Sequence, residues 1–144
     1  MTDKITPEHR SRNMAAIKNK NTRPELEIRS YLFKNGFRYR LHRKDLPGKP
    51  DLTLKKYKTV IFINGCFWHR HTGCKLAYTP KSNIKFWEQK FHKNVENDLK
   101  KLKQLEMQGW KVIIIWECEI RNKNYHWLVN EIKSIYKTNF SINR

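Results

Sequence analysis

Two short apolar runs separated by a long amphipathic one constrain this chain most. Thr59-Val60-Ile61-Phe62-Ile63 is apolar at every position but its first, and Trp110-Lys111-Val112-Ile113-Ile114-Ile115-Trp116 is nearly as uniform. A strand with one wet face alternates, whereas a continuous apolar run lies in the middle of a sheet covered on both faces. Between the two runs, Ile84, Trp87, Phe91, Val95, Leu99, Leu102 and Leu105 recur every three or four positions, the spacing of a long helix over Ile84 to Met107 with one apolar stripe. Gly109 ends it. Strand, long helix and strand in this order suit parallel neighbours joined by a crossover.

The remaining segments fill out an α/β pattern. Thr22-Arg23-Pro24-Glu25 reads as a capping box with proline in the first turn, opening a helix to about Asn35 that Gly36 stops. A strand is predicted near Phe37 to Leu41, then a loop Asp45-Leu46-Pro47-Gly48-Lys49-Pro50, then Asp51-Leu52-Thr53-Leu54, whose alternation suits a half-buried strand. Lys55-Lys56-Tyr57 turns the chain, and Trp127 to Tyr136 reads as a closing helix. The expected fold class is α/β: a mixed sheet flanked by helices on both sides. With no internal repeat, low-complexity tract or linker, residues 1–144 are expected to form a single domain. It comprises a polar arm over 1–21, ordering only against a partner, and a core over 22–144.

Lysine and arginine number 31 against 13 acidic residues, a formal net charge of +18, and such a field gathers polyanions. A basic ribosomal or membrane-surface protein shares that charge, but 12% aromatic content and strongly apolar strands argue for a folded core rather than a tail, with nucleic acid as the partner. There is no apolar run of about 18 residues to span a membrane and no apolar N-terminal leader, so a cytoplasmic location is expected. In a reducing compartment three clustered cysteines suggest metal ligation before disulfides.

Cys66, His71 and Cys74 lie within nine residues just past the central strand, and Cys118 just past the last one. Parallel neighbouring strands would deliver all four to one place. A tetrahedral Cys3His set suits zinc and leaves no open position, which marks a structural Zn2+ site; the alternative is simply buried thiols. A second set surrounds Asp51, which opens one strand of a hairpin whose partner His69 follows, with Glu25 reaching in from the first helix. A carboxylate can hold Mg2+ and a neutral imidazole can take a proton from an attacking water, as phosphodiester hydrolysis requires. The bland alternatives are a turn aspartate, an unused histidine and a capping glutamate.

Several segments together resemble the very short patch repair (Vsr) mismatch endonucleases. They are Arg12-Asn13-Met14, Pro47-Gly48-Lys49-Pro50-Asp51, Val60 through Gly65-Cys66-Phe67-Trp68-His69-Arg70-His71, Lys93-Asn94-Val95-Glu96-Asn97-Asp98, and Gly109-Trp110-Lys111-Val112 through Trp116-Glu117-Cys118. The similarity spans roughly residues 10–122, and Gly-Cys-Phe-Trp-His after a buried strand is its most specific part. The resemblance implies a restriction-endonuclease-like fold and a metal-dependent enzyme that nicks one strand of double-stranded DNA beside a T:G mismatch. Asp51 would be the central Mg2+ ligand, with the Ile63 carbonyl beside it, His69 the general base, and Glu25 a carboxylate that helps order water. Cys66, His71, Cys74 and Cys118 would hold Zn2+. Phe67, Trp68 and Trp87 would wedge into the duplex from the major groove and Met14 on the arm from the minor groove, while Lys90 and Asn94 would read the mismatched pair. For Trp87 the resemblance competes with its place on the helix's apolar stripe, which reads equally as core.

The chain departs from the pattern in places. The superfamily's Glu-x-Lys or Asp-x-Lys pair is missing from Phe62-Ile63-Asn64, so the histidine must stand in for the lysine; some members carry threonine and histidine where this chain has Ile63 and Asn64. Two rival functions share the expected fold: a restriction-like endonuclease on matched duplex, and a non-catalytic zinc-stabilised DNA-binding module. The family implies a monomer acting in the bacterial cytoplasm on the nucleoid, with mismatch-repair factors as partners and no membrane.

Overall fold

The computed structural model describes residues 21–142, and side chains as far as Ser134. The chain runs α1 (Arg23–Lys34), β1 (Arg40–Leu41), β2 (Leu52–Leu54), a 3-10 turn (Lys55–Tyr57), β3 (Thr59–Asn64), α2 (Ile84–Met107), β4 (Lys111–Trp116), α3 (Glu117–Arg121) and α4 (Trp127–Ile142). The four strands form one sheet in the order β1-β2-β3-β4. β1, β2 and β3 are antiparallel neighbours, and β3 pairs with β4 in parallel from Thr59↔Lys111 to Asn64↔Trp116. The sheet is therefore mixed, as expected, with α2 as the crossover.

Both faces of the two apolar strands are covered. On one face Ile61, Ile113 and Ile115 join Leu52 and Leu54 of β2, Ile28 and Leu32 of α1, Ile120 of α3, and Leu128 and Ile132 of α4. On the other, Val60 packs with Leu46, Leu105 and Trp110, flanked by Phe62 and Val112. Alternate side chains of β3 thus enter two separate cores, which is why the run lacks polar positions.

α1 ends as the sequence indicates. Gly36, at φ +87, donates to Phe33 O at 3.0 Å and Phe37 N to Leu32 O at 3.0 Å, which closes the helix with the left-handed residue that glycine adopts without penalty. At its start Thr22 Oγ1 accepts from Glu25 N at 3.4 Å, but the Glu25 carboxylate accepts from Asn21 N, not from Thr22, so only half of the capping box forms.

Three expectations are corrected, and one short helix is added. β2 is buried at all three positions rather than alternating: Leu52 and Leu54 join the core under α1 and α4, and Thr53, on the opposite face, is buried too, its Oγ1 without a hydrogen-bond partner among the described residues. The strand predicted near Phe37 to Leu41 shortens to two residues, since Phe37 turns into the core. The stripe of α2 does not bury uniformly: Phe91 and Leu105 are buried, whereas Ile84 is 50% and Leu99 61% exposed. The helix outruns the sheet it covers, so only part of its stripe meets a core. α3, a helix of five residues, has no periodic signal and follows directly from β4.

Ile115 is fully buried, so Ile115→Ala is expected to lower unfolding free energy by about 2–5 kcal/mol in urea titration, whereas Leu99→Ala should change it by about 0.5 kcal/mol or less. Equal losses would contradict this division of the α2 stripe.

Candidate active site and metal centre

The hairpin register brings the acidic groups together. Arg40 pairs with Thr53 and Leu41 with Leu52, and one step further His42 N donates to Asp51 O at 3.2 Å. Asp51 sits at the entrance of β2 opposite the end of β3, where its Oδ2 accepts from Ile63 N at 2.7 Å. Glu25, only 2% exposed, comes in from α1. Its carboxylate accepts from Asn21 N at 3.2 Å, from Arg29, and from His42 Nε2, which lies 2.9 and 3.0 Å from its two oxygens. Glu25, His42 and Asp51 each offer a ligand atom within 4.8 Å of the others.

The loop before Asp51 is held by a close approach. Gly48 has φ +76, and a Cβ there would meet Phe62 Cζ at 3.2 Å and Lys101 Cβ at 3.2 Å. Only glycine both adopts that backbone and lets the loop rest on β3.

His69 lines the same cleft, about 350 Å³, as Asp51, His42, Ile63 and Asn64, with Lys44 and Lys49 at its rim. The two groups expected to meet therefore do share one opening at one end of the sheet. His69 Nδ1 lies 2.6 Å from Asp98 Oδ2 of α2. An ionised carboxylate only accepts, so Nδ1 carries a proton, and in the neutral imidazole that leaves the lone pair on Nε2, the tautomer a base needs.

Burial pushes the Asp51 carboxyl from an ordinary 3.8 up to about 7; the Ile63 amide pulls it down, and the Glu25 charge pushes it up further. Two carboxylates brought together out of water repel, and a divalent cation relieves both effects. The donor set is hard oxygen with one imidazole nearby, which fits Mg2+ or a related ion.

The second centre is equally compact. Cys66, His71, Cys74 and Cys118 offer ligand atoms all within 4.8 Å of one another. His71 Nδ1 is 3.6 Å from Cys66 Sγ and 3.4 Å from Cys118 Sγ. A tetrahedron with ordinary zinc bond lengths has nitrogen–sulfur edges of about 3.6 Å, so the residues fit that ion. The His71 ring stacks on Trp116 at 4.2 Å, which fixes its plane. Burial pushes the Cys66 thiol up to about 12 and raises Cys118, while the backbone amide of Leu76 lowers Cys74. A bound cation would take all three as thiolates and release protons. The parallel pairing of β3 and β4 brings Cys118 to Cys66, as the sequence suggests.

Between the two centres stands an aromatic cluster. Phe67 lies 5.0 Å from Trp68, 5.0 Å from Tyr78, 5.6 Å from Trp87 and 5.2 Å from Phe91, ring centre to ring centre. Phe91 is the buried member, and Phe67, Trp68 and Trp87 are half-buried. Trp87 is therefore neither plain core nor free, and it packs at 5.8 Å from Trp68. Lys90 and Asn94 line an adjoining cleft with Trp68, His69 and Asp98, and Asn94 Nδ2 donates to Trp68 O at 3.2 Å. Met14 and the rest of the arm to residue 20 lie outside the described residues.

Sequence reasoning missed three residues. His42 carried a signal only through register, as the residue facing Asp51 across the hairpin. Asp98 lies four residues past Asn94 on the same helical face. Arg70 ties the loop together: its guanidinium donates to Phe67 O at 3.2 Å, Tyr78 O at 3.0 Å and Ala77 O at 2.9 Å, and lies 3.9 Å over the Phe91 ring. Its φ of +54 gave no sign in the sequence.

Comparison with known proteins identifies the family. The family model described as DNA mismatch endonuclease Vsr matches residues 2–75. A type II nicking enzyme of Neisseria meningitidis serogroup A is 49% identical over 138 residues, covering 92% of this chain and 98% of that one. A type II nicking enzyme of Xanthomonas oryzae pv. oryzae is 45% identical, covering 83% and 88%. The DNA mismatch endonuclease Vsr of Escherichia coli is 41% identical over 121 residues, covering 84% of this chain and 75% of that one. With a family match over half its length and such relatives over most of it, the chain belongs to the Vsr family of DNA mismatch endonucleases.

Proposed function

We propose that this chain nicks one strand of duplex DNA beside a T:G mismatch, the first step of very short patch repair of deaminated 5-methylcytosine. The observation that carries the reading is the single cleft holding Asp51 together with an imidazole, His69, whose tautomer Asp98 sets. His69 Nε2 is the acceptor for the proton of the attacking water, and Glu25 orders that water from inside the sheet edge. Asp51, with the Ile63 carbonyl, would hold Mg2+, which supplies charge stabilisation at the phosphate. Lys44 and Lys49 at the rim attract the backbone electrostatically. The proposed sheet type is that of the restriction endonucleases, supported by an antiparallel hairpin whose acidic end meets a parallel strand.

Mismatch choice falls to the aromatic cluster. A wobble pair stacks poorly, so parting it from its neighbour costs less than opening a matched step, and inserted rings of Phe67, Trp68 and Trp87 recover about 1–3 kcal/mol of stacking per base. Lys90 and Asn94, beside Trp68, are placed to read the pair, and Met14 would enter from the opposite groove. Zn2+ held by Cys66, His71, Cys74 and Cys118 would keep the wedge loop rigid. A single centre makes a single cut, so a monomer suffices, acting in the cytoplasm; mismatch-repair factors are the natural protein partners. Among the described residues no helix is long and apolar enough to cross a membrane.

The deciding experiment incubates purified protein and Mg2+ with duplexes that are matched or carry one T:G pair. Nicking of the mismatched strand alone is expected, and Asp51→Ala should abolish it while leaving binding within about threefold. Cleavage of both strands of matched DNA, or binding with no cleavage by the unaltered protein, would overturn the reading.

Elemental analysis is expected to find one zinc per chain, and Cys118→Ser should lose the metal and lower the melting temperature. A metal-free, fully stable and active preparation would refute the structural role.

The Asp51 carboxyl also ties stability to pH. Its folded value of about 7 exceeds its ordinary 3.8, so its contribution is fully present below about pH 4 and is lost as pH rises through 7, when burial must be borne by the charged form. In metal-free solution at pH 8, Asp51→Asn should therefore be more stable than the unaltered protein by on the order of 1–3 kcal/mol, with the gap closing towards pH 4 or on adding Mg2+. Thermal melts across pH measure this, and a pH-independent gap would contradict it.

A further inference from the structure

We infer that His42 is a positioning residue, holding the Glu25 carboxylate in place beside Asp51. The inference rests on the metal-centre reading above and goes further by naming what fixes the second carboxylate. His42 Nε2 lies 2.9 Å from Glu25 Oε1 and 3.0 Å from Oε2, so one N–H straddles both oxygens. An ionised carboxylate only accepts, so this nitrogen carries the proton and is not free to ligate a cation. The backbone of the same residue donates to Asp51 O at 3.2 Å. His42 is thereby anchored to the strand that carries one carboxylate and grips the other, which arrives from a helix.

The backbone shows how firmly the position is set. His42 has φ +46, in the left-handed region that residues with a Cβ rarely adopt. A two-residue strand ends immediately before it, so the chain turns there and swings the ring back over the hairpin towards α1. The ring also lines the cleft that Asp51 and His69 share. Arg29 and Asn21 N hold Glu25 from the side of its own helix, and neither reaches across to the sheet; among the described residues His42 is the sheet-side donor. Without it Glu25 is still neutralised but loses its registration with Asp51. Groups that orient a metal-site carboxylate in this way typically influence metal affinity or activity by about tenfold to a hundredfold.

The test uses the full chain with His42→Asn, which tolerates the left-handed backbone but is too short to reach Glu25, and His42→Gln, whose amide N–H can. Mn2+ alone is titrated calorimetrically into each protein, and nicking of T:G duplex with Mg2+ gives kcat and KM separately. His42→Asn is expected to weaken Mn2+ binding and lower kcat by about tenfold or more with KM for DNA within about twofold, and His42→Gln to restore both to within about threefold. In a Glu25→Gln background His42→Asn should add less than about twofold. Unchanged Mn2+ binding in a folded His42→Asn protein, failure of His42→Gln to rescue, or an undiminished effect without the Glu25 carboxylate would each overturn the inference. If Asp51→Ala also leaves Mn2+ binding intact, the metal-centre reading itself fails; if only the His42 variants are silent, the inference alone does.

Discussion

The parallel pairing of β3 with β4 is the constraint on which the rest depends. It sets Asn64 beside Trp116, so the segments leaving the two strands, Gly65 onward and Glu117 onward, start as neighbours. Cys66 and Cys118 then converge with His71 and Cys74, and Glu117 Oε1 accepts from Cys66 N at 3.4 Å. From this knot emerge Phe67, Trp68 and His69. A slip of one residue in register would turn the isoleucines of β4 out of one core into the other, so burial on both faces fixes the alignment as strongly as the backbone hydrogen bonds do.

How much of this could be read from residues alone differs by element. The two buried strands and the long helix between them were legible because continuous hydrophobicity and a period near four leave few options, and parallel order followed from the crossover. The convergence of Cys66, His71, Cys74 and Cys118 was legible because the first three lie close in sequence past one strand and the fourth just past its parallel neighbour. What escaped depended on partners distant in the chain. Leu99 and Ile84 carry a perfect stripe, yet their burial is decided by where the sheet stops. His42 and Asp98 act through Glu25 and His69, 17 and 29 residues away, and no local period marks such pairs.

The aromatic cluster grades from a buried ring to half-covered ones. Phe91 is buried and anchors the group, while Phe67, Trp68 and Trp87 are half-covered: Phe67 meets both tryptophans edge to face, and the two tryptophan rings tilt against each other. Rings stacked this way are already ordered, so little side-chain freedom is left to lose when they meet another surface. Arg70 holds the carbonyls of the loop beneath them and lies on Phe91, which ties the platform to the Cys-His centre next door. In the proposed wedge role, rings that part stacked bases have to resist being pushed back, which an adaptable loop would not do.

Set beside the restriction-endonuclease pattern that the proposed function invokes, the strand after Asp51 lacks a lysine, and the charge compensation of the two carboxylates is unequal. Glu25 is satisfied by Arg29, by Asn21 N and by His42, and is nearly sealed from solvent. Asp51 accepts from one backbone amide and carries a carboxyl raised to about 7. Of two neighbouring buried carboxylates, one is therefore neutralised by the protein and the other is left short of positive charge. That asymmetry places the demand for a cation at Asp51, on the side where Ile63 ends β3 and the cleft opens towards His69. In the proposed reading, an imidazole whose Nδ1 pairs with Asp98 offers a proton acceptor in the cleft without adding a fixed cation beside Asp51.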